Sequence, residues 1–197
     1  MTEQRRRLLF ELAAAVCRVR TAGTVRVGID GVDGAGKTSL ADELSVLCEA
    51  AGRTVIRASV DGFHNPRAIR YQRGRTSPEG FYYDSCDYAT LKGVLLDPLG
   101  PGGSGRYRIA TFDHRLDCAI VTPECIAASG DILLFDGIFF FLDVEFAVSI
   151  PRGAQRGEGS ADPDAASNDR YVRGARAVPG QCIPDTICDR GRQQQRS

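Results

Sequence analysis

The chain has 197 residues, 43% of them hydrophobic, and a formal net charge of zero. That length and apolar content suit one domain with its own core. The neutral balance and the lack of an aromatic-basic strand pattern argue against a nucleic-acid partner. Seven cysteines, an odd number with no C-x-x-C pair, argue against a secreted disulfide framework or a structural zinc site, so reduced thiols in a cytoplasmic setting are expected.

"RRRLLFELAAAVC" opens the chain with a basic, apolar stretch that a signal peptide would share. Glu11 interrupts it, and Leu8, Leu9, Leu12, Val16 and Val19 recur at helical spacing, so the pattern predicts an amphipathic helix over 4–20. No other segment is long and apolar enough to suggest a membrane span, and no membrane partner is expected. "TVRVGID" (Thr24–Asp30) predicts a strand, "KTSLADELSVLCEAAG" a helix stopped at Gly52, and "TVIRASV" (Thr54–Val60) a second strand. Strand, helix, strand at this spacing implies a βαβ unit and a parallel sheet covered by helices.

Further on, Asn65 to Pro78 predicts an exposed loop, Tyr88–Leu99 a short helix, Leu99–Gly105 a turn and Arg106–Asp113 an alternating strand. "DILLFDGIFFFLDV" (Asp131–Val144) is the most apolar run. From Pro151 onward the composition shifts to Gly, Ala, Arg, Asp and Gln with little periodicity. These shifts divide the chain into a core over 1–150, a lid remnant over 151–176 and a disordered tail over 177–197.

Between the first strand and its helix, Gly31-Val32-Asp33-Gly34-Ala35-Gly36-Lys37-Thr38 matches G-x-x-x-x-G-K-[ST], the P-loop pattern. Glycines let successive backbone N–H groups point into one hollow, and the helix that starts there adds its unpaired N–H groups and dipole. Lys37, one of only two lysines, brings a compact mobile charge, and Thr38 offers a hydroxyl to Mg²⁺. Gly31, Asp33, Gly34, Ala35, Gly36, Lys37, Thr38 and Ser39 are therefore the candidate nucleotide-binding residues.

With "ASVDGFH", "FYYDSCDY", "RYRIATFDH" and "DILLFDGIF" following in order, the chain from about Val25 to Arg156 resembles the uridine kinase and phosphoribulokinase group of P-loop kinases. The resemblance implies an α/β P-loop fold, three-layer α/β/α with a mainly parallel sheet whose C-terminal part is incomplete. It also implies ATP and Mg²⁺ as cofactors, and phosphoryl transfer to a hydroxyl of a small metabolite, first of all a nucleoside. In these terms Asp61 is the catalytic base or hydroxyl-positioning group, and Thr38 and Asp136 hold the metal. His64, Asp84 and Tyr107 face the acceptor, and Arg152 and Arg156 are lid arginines that approach the phosphates.

Asp61-Gly62 and Asp136-Gly137 are also ordinary turn pairs. Where uridine kinases carry a base-reading histidine this chain has Phe112, and His114 falls two positions on, on the other side of a simple strand register, which leaves an acceptor other than uridine or cytidine open. A homo-oligomer is also left open.

Two departures from the family favour an alternative, a catalytically degenerate nucleotide-binding remnant. "DILLFDG" meets "IFFFLDV" without room for a parallel crossover, so the two stretches are not expected to be neighbouring parallel strands. After Arg173 no strand is evident.

Overall fold

The computed structural model describes residues 2–138 and 146–152. Helix α1 (Glu3–Arg18) begins at Thr2, whose hydroxyl accepts from the Arg5 backbone N–H. Leu9, Ala13 and Val16 are buried, with Leu12 and Val19 packed beside them, so the inward face is the expected one except that Leu8 is exposed and Ala13 joins it. No helix among the described residues is long and apolar enough to cross a membrane.

Strand β1 (Val25–Gly31) leads into α2 (Lys37–Ala50), which buries Leu40, Ala41, Leu44 and Cys48. After β2 (Val55–Ser59), a single tight turn over Val60–Phe63 carries the chain off the sheet. The expected loop over 65–78 contains a short helix, α3 (Arg67–Arg70), and is followed by α4 (Pro78–Asp84), capped by the Ser77 hydroxyl. The helix expected at Tyr88–Leu99 is α-helical only over α5 (Tyr88–Leu91) and widens into a π-turn over Lys92–Leu96.

The strand expected at Arg106–Asp113 is broken in two. Strand β3 (Arg106–Tyr107) and strand β4 (Phe112–Asp113) pair with different partners, β4 with β5 (Cys118–Ala119) and β3 with β6 (Cys125–Ile126). Between them the Arg108 N–H bonds the Val94 carbonyl and the Thr111 N–H bonds the Gly62 carbonyl, so main-chain donors that a continuous ladder would use are drawn to other elements.

Strand β7 (Ile132–Asp136) and strand β8 (Val148–Arg152) complete a four-stranded sheet of order β2-β7-β1-β8, parallel throughout. Among the described residues the apolar run contains the strand that ends at Asp136, and the next described strand begins beyond the run at Val148. They are not neighbours: β1 lies between them. Pro151 and Arg152 pair with Asp30 and Gly31, so the sheet continues past residue 150, and Pro151 sits on a strand that has one partner among the described residues. The rest of the expected lid, the tail and residues 139–145 lie outside the described residues.

Every residue of β7 is buried, because the sheet is covered on both faces. Ile132 and Leu134 pack with α1 and α2, whereas Leu133 and Phe135 pack with Phe63, Leu91 and Leu95 on the other side. Burial of each such side chain contributes about 1.5–3 kcal/mol. This is the expected three-layer arrangement, and it places the carboxyl ends of β2, β7 and β1 side by side.

Candidate active site

The loop after β1 turns on glycines in the left-handed region, with Gly34 at φ 71° and Gly36 at φ 72°, where a side chain would strain the backbone. Gly36 is also the residue that caps α2, so the first turn of the helix opens directly into the hollow. Lys37 Nζ donates to the carbonyls of Gly31 (3.0 Å) and Val32 (2.9 Å), folding back over the loop. Residues 33–39, with Ser59, Asp61 and Asp136, line a cleft of about 360 Å³. All the candidate phosphate-binding residues from Asp33 to Ser39 lie on it, and Gly31 contributes its carbonyl to the lysine.

Asp136 ends β7, level with Ile29 of β1 and Ser59 of β2. It is 2% exposed and densely bonded. Thr38 Oγ1 donates to its Oδ2 at 2.8 Å, Ser59 Oγ lies 3.2 Å from the same oxygen, and Arg57 Nη2 reaches Oδ1 at 2.9 Å. Arg57 also donates to Asp42 of α2 and to the Leu134 carbonyl.

The sequence pairing of Thr38 with Asp136 is therefore a direct contact across 98 positions. A hydroxyl and a carboxylate on a phosphate-sized hollow are hard oxygen donors, and they fit Mg²⁺, which takes one or two carboxylates and keeps its other positions for phosphate and water. No cluster of three or more His, Cys, Asp or Glu side chains suited to a metal occurs among the described residues.

Asp61 stands where this cleft meets a second one of about 210 Å³. Its Oδ1 is 3.3 Å from His64 Nε2, and His64 Nδ1 is 2.9 Å from the Ser85 carbonyl. Because a carbonyl only accepts, Nδ1 carries a proton, and Nε2 is left to serve Asp61. The His64 hydrogen bond, with the charges of His64, His114 and Lys37 behind it, outweighs burial and holds the Asp61 carboxyl below its usual range. For His64, burial favours the neutral ring, but the bonds to Asp61, Cys86 and Ser85 prevail and raise its pKa to about 10.

The His114 ring stands 5.3 Å from that of His64. The break between β3 and β4 removes the simple register that placed it on the far side.

Of the other candidates, Asp84 is buried, and its carboxylate takes Arg73 Nε at 2.9 Å; it lines neither cleft. Tyr107 packs against the second core cluster, away from both clefts. The backbone of Arg152 in β8 stands opposite Gly31, and Arg156 lies outside the described residues. Sequence reasoning passed over Arg57, Ser59, Arg70 and Cys86. Arg57 had a signal, a charge in the middle of a predicted strand of a helix-covered sheet, which the abundance of arginine elsewhere hid.

No protein-family model and no curated protein matches the sequence. Solved structures do match. A possible uridine kinase from Bacillus stearothermophilus aligns at TM-score 0.65 and 24% identity, over 75% of this chain and 80% of that one. A protein assigned as a fructose transport system kinase from Silicibacter sp. TM1040 aligns at TM-score 0.57 and 23% identity, over 73% of each chain. The fold is that of the uridine kinase-like P-loop kinases. In a P-loop kinase fold, the carboxyl ends of the strands form the crevice where ligands bind, and here that edge carries the loop, Asp61 and Asp136.

Proposed function

We propose that the chain transfers the γ-phosphoryl group of ATP to a hydroxyl of a small metabolite, with a nucleoside as the first acceptor to test. The observation that carries this reading is the position of Asp61 at the junction of the two clefts, one built for phosphates and the other able to hold an acceptor. The loop amides and Lys37 hold the triphosphate, and Lys37 exchanges its two carbonyl partners for phosphate oxygens. Thr38 and Asp136 would hold Mg²⁺, which when bound neutralises charge on the phosphates.

The acceptor oxygen forms its bond to the γ-phosphorus as the bond from that phosphorus to the bridging oxygen breaks and ADP leaves. The hydroxyl proton passes to Asp61. A carboxylate held ionised by His64 is a weak base. Its first task is then to orient the hydroxyl, and it receives the proton late, which suits a loose transition state with little charge on the attacking oxygen.

A coupled assay with Mg-ATP and a panel of nucleosides and sugars tests this. Turnover that Lys37→Ala abolishes is expected, and a panel that shows no turnover above the Lys37→Ala control refutes it. One observation favours a second reading, a nucleotide-binding remnant: eleven residues, 137–147, connect β7 to β8 across β1, close to the shortest parallel crossover. Thermal stabilisation by Mg-ATP without turnover would select it, because a ligand stabilises only a folded site that binds it.

A further inference from the structure

We infer that the acceptor carries an oxyanion, a carboxylate or a phosphomonoester, and that Arg70 binds it in the smaller cleft while the acceptor hydroxyl faces Asp61. This rests on the kinase reading above and names the chemistry of its acceptor.

Arg70 ends α3 and lines the smaller cleft together with Asp61, His64, Tyr71, Phe81 and Tyr88. It is 8% exposed, and its Nε has no hydrogen-bond partner among the described residues. That atom is the one buried side-chain nitrogen or oxygen among them left in this state. Its ion pair is with Asp117, where Nη2 reaches Oδ1 at a long 3.3 Å, and the same oxygen already accepts the Arg67 backbone N–H at 2.9 Å. The guanidinium also lies over the Tyr71 ring, 5.4 Å from its centroid. It is thus held in place on the wall of the cleft by a ring and a shared carboxylate.

The neighbouring arginines are differently engaged. Arg73 is bound to Asp84, and Arg75 lies over the other contact of Tyr71 at 5.1 Å. The segment from Asn65 to Pro78 contains Arg67, Arg70, Arg73 and Arg75 and no acidic residue, so its carboxylate partners, Asp84 and Asp117, come from outside it and are fewer than its arginines. His64 adds a second basic group to the cleft, and its Nε2 is turned to Asp61.

A buried guanidinium whose one carboxylate partner is distant and shared is costly, and a second anion offsets part of that cost. A carboxylate or phosphate in the cleft supplies the guanidinium with a charge partner, which a neutral hydroxyl cannot. The aromatic walls then pack the carbon skeleton between the anion and the hydroxyl, and a cleft of about 210 Å³ suits a small skeleton.

The test uses the full chain with Mg-ATP and matched acceptor pairs: ribose with ribose 5-phosphate, and glycerol with D-glycerate. The charged member of at least one pair is expected to exceed its neutral counterpart by tenfold or more in kcat/KM, and the pair in which it does separates phosphate from carboxylate. Arg70→Gln should erode that preference by tenfold or more, mainly through KM, with Arg70→Lys keeping part of it as a point charge.

Calorimetric binding of the charged acceptor in the presence of ADP supplies a readout that needs no turnover, and Arg70→Gln should weaken it in the same proportion. Anion binding that depends on Arg70 without phosphoryl transfer would remove the kinase reading and keep this site. A preference for the neutral member in both pairs would overturn the inference. So would an equal loss on charged and neutral acceptors in Arg70→Gln and Arg70→Lys, or the absence of anion binding to the unaltered chain.

Discussion

Replacing Arg57 with methionine removes the guanidinium from Asp136 and keeps most of the apolar stem. The Asp136 side chain is 3% exposed, that of Arg57 24% and that of Asp42 64%. Breaking a buried pair from one side costs about 3–5 kcal/mol, and breaking an exposed pair under about 1. A quarter-exposed arginine serving one buried and one exposed carboxylate falls between them, at about 2 kcal/mol, with Thr38 and Ser59 still bonded to Asp136. In a chain of this size that lowers Tm by about 4–8 °C.

Thermal denaturation of the wild type, Arg57→Met, Asp136→Asn and the double variant closes a cycle, and a coupling of about 1–2 kcal/mol is expected. Because the lost cation leaves Asp136 with two hydroxyls and no positive partner, Mg²⁺ alone should raise the Tm of Arg57→Met more than that of the wild type. Additive losses, together with identical responses to Mg²⁺, would refute the reasoning that Arg57 holds this carboxylate.

Two further outcomes are open to measurement. A Cβ on Gly62 would stand 2.8 Å from Ala110 Cβ and 3.1 Å from the Ile109 carbonyl oxygen. Gly62→Ala should therefore cost about 1–3 kcal/mol in denaturant unfolding and disturb the neighbouring Asp61, whereas Gly93→Ala, with open space at the same test, should be neutral by comparison. Equal stability of the two variants would contradict the tight contact between this turn and residues 109–110.

The chain has only two histidines, so NMR can follow His64 directly. It should titrate near 10, and Asp61→Asn should bring that value down toward or below the ordinary 6.5, since burial then acts with less opposition. The stabilisation from His64 is present in full below pH 6.5 and is lost as the pH rises through about 10. The stabilisation from Asp61 is present above its ordinary 3.8 and is lost as the pH falls through its lowered value. A His64 ring that titrates near 6.5 in the unaltered protein would break the Asp61–His64 pair as described.

The parts of the site that the sequence made legible are those in which one short segment contains both the geometry and the chemistry. Gly34, Gly36 and Lys37 define their own hollow, and the four apolar residues before Asp136 read as a buried strand. Arg57 and Arg70 were not legible because their meaning depends on residues 79 and 47 positions away, Asp136 and Asp117. The broken strand at 106–113 was hidden for a related reason, since Val94 and Gly62 capture its main-chain donors.

Once the parallel register is known, however, the location of the site follows from alternation. Val55, Arg57 and Ser59 of β2 stand level with Ile132, Leu134 and Asp136 of β7, on the face that packs against α2. Along that face, β2 passes from apolar to charged to hydroxyl, and β7 from apolar to carboxylate. The amino end of the sheet is therefore dry, and polar groups accumulate at its carboxyl end, where α2 begins and its unpaired N–H groups open. A phosphate and a cation can be desolvated together only at that end, because only there does the fold supply partners for both.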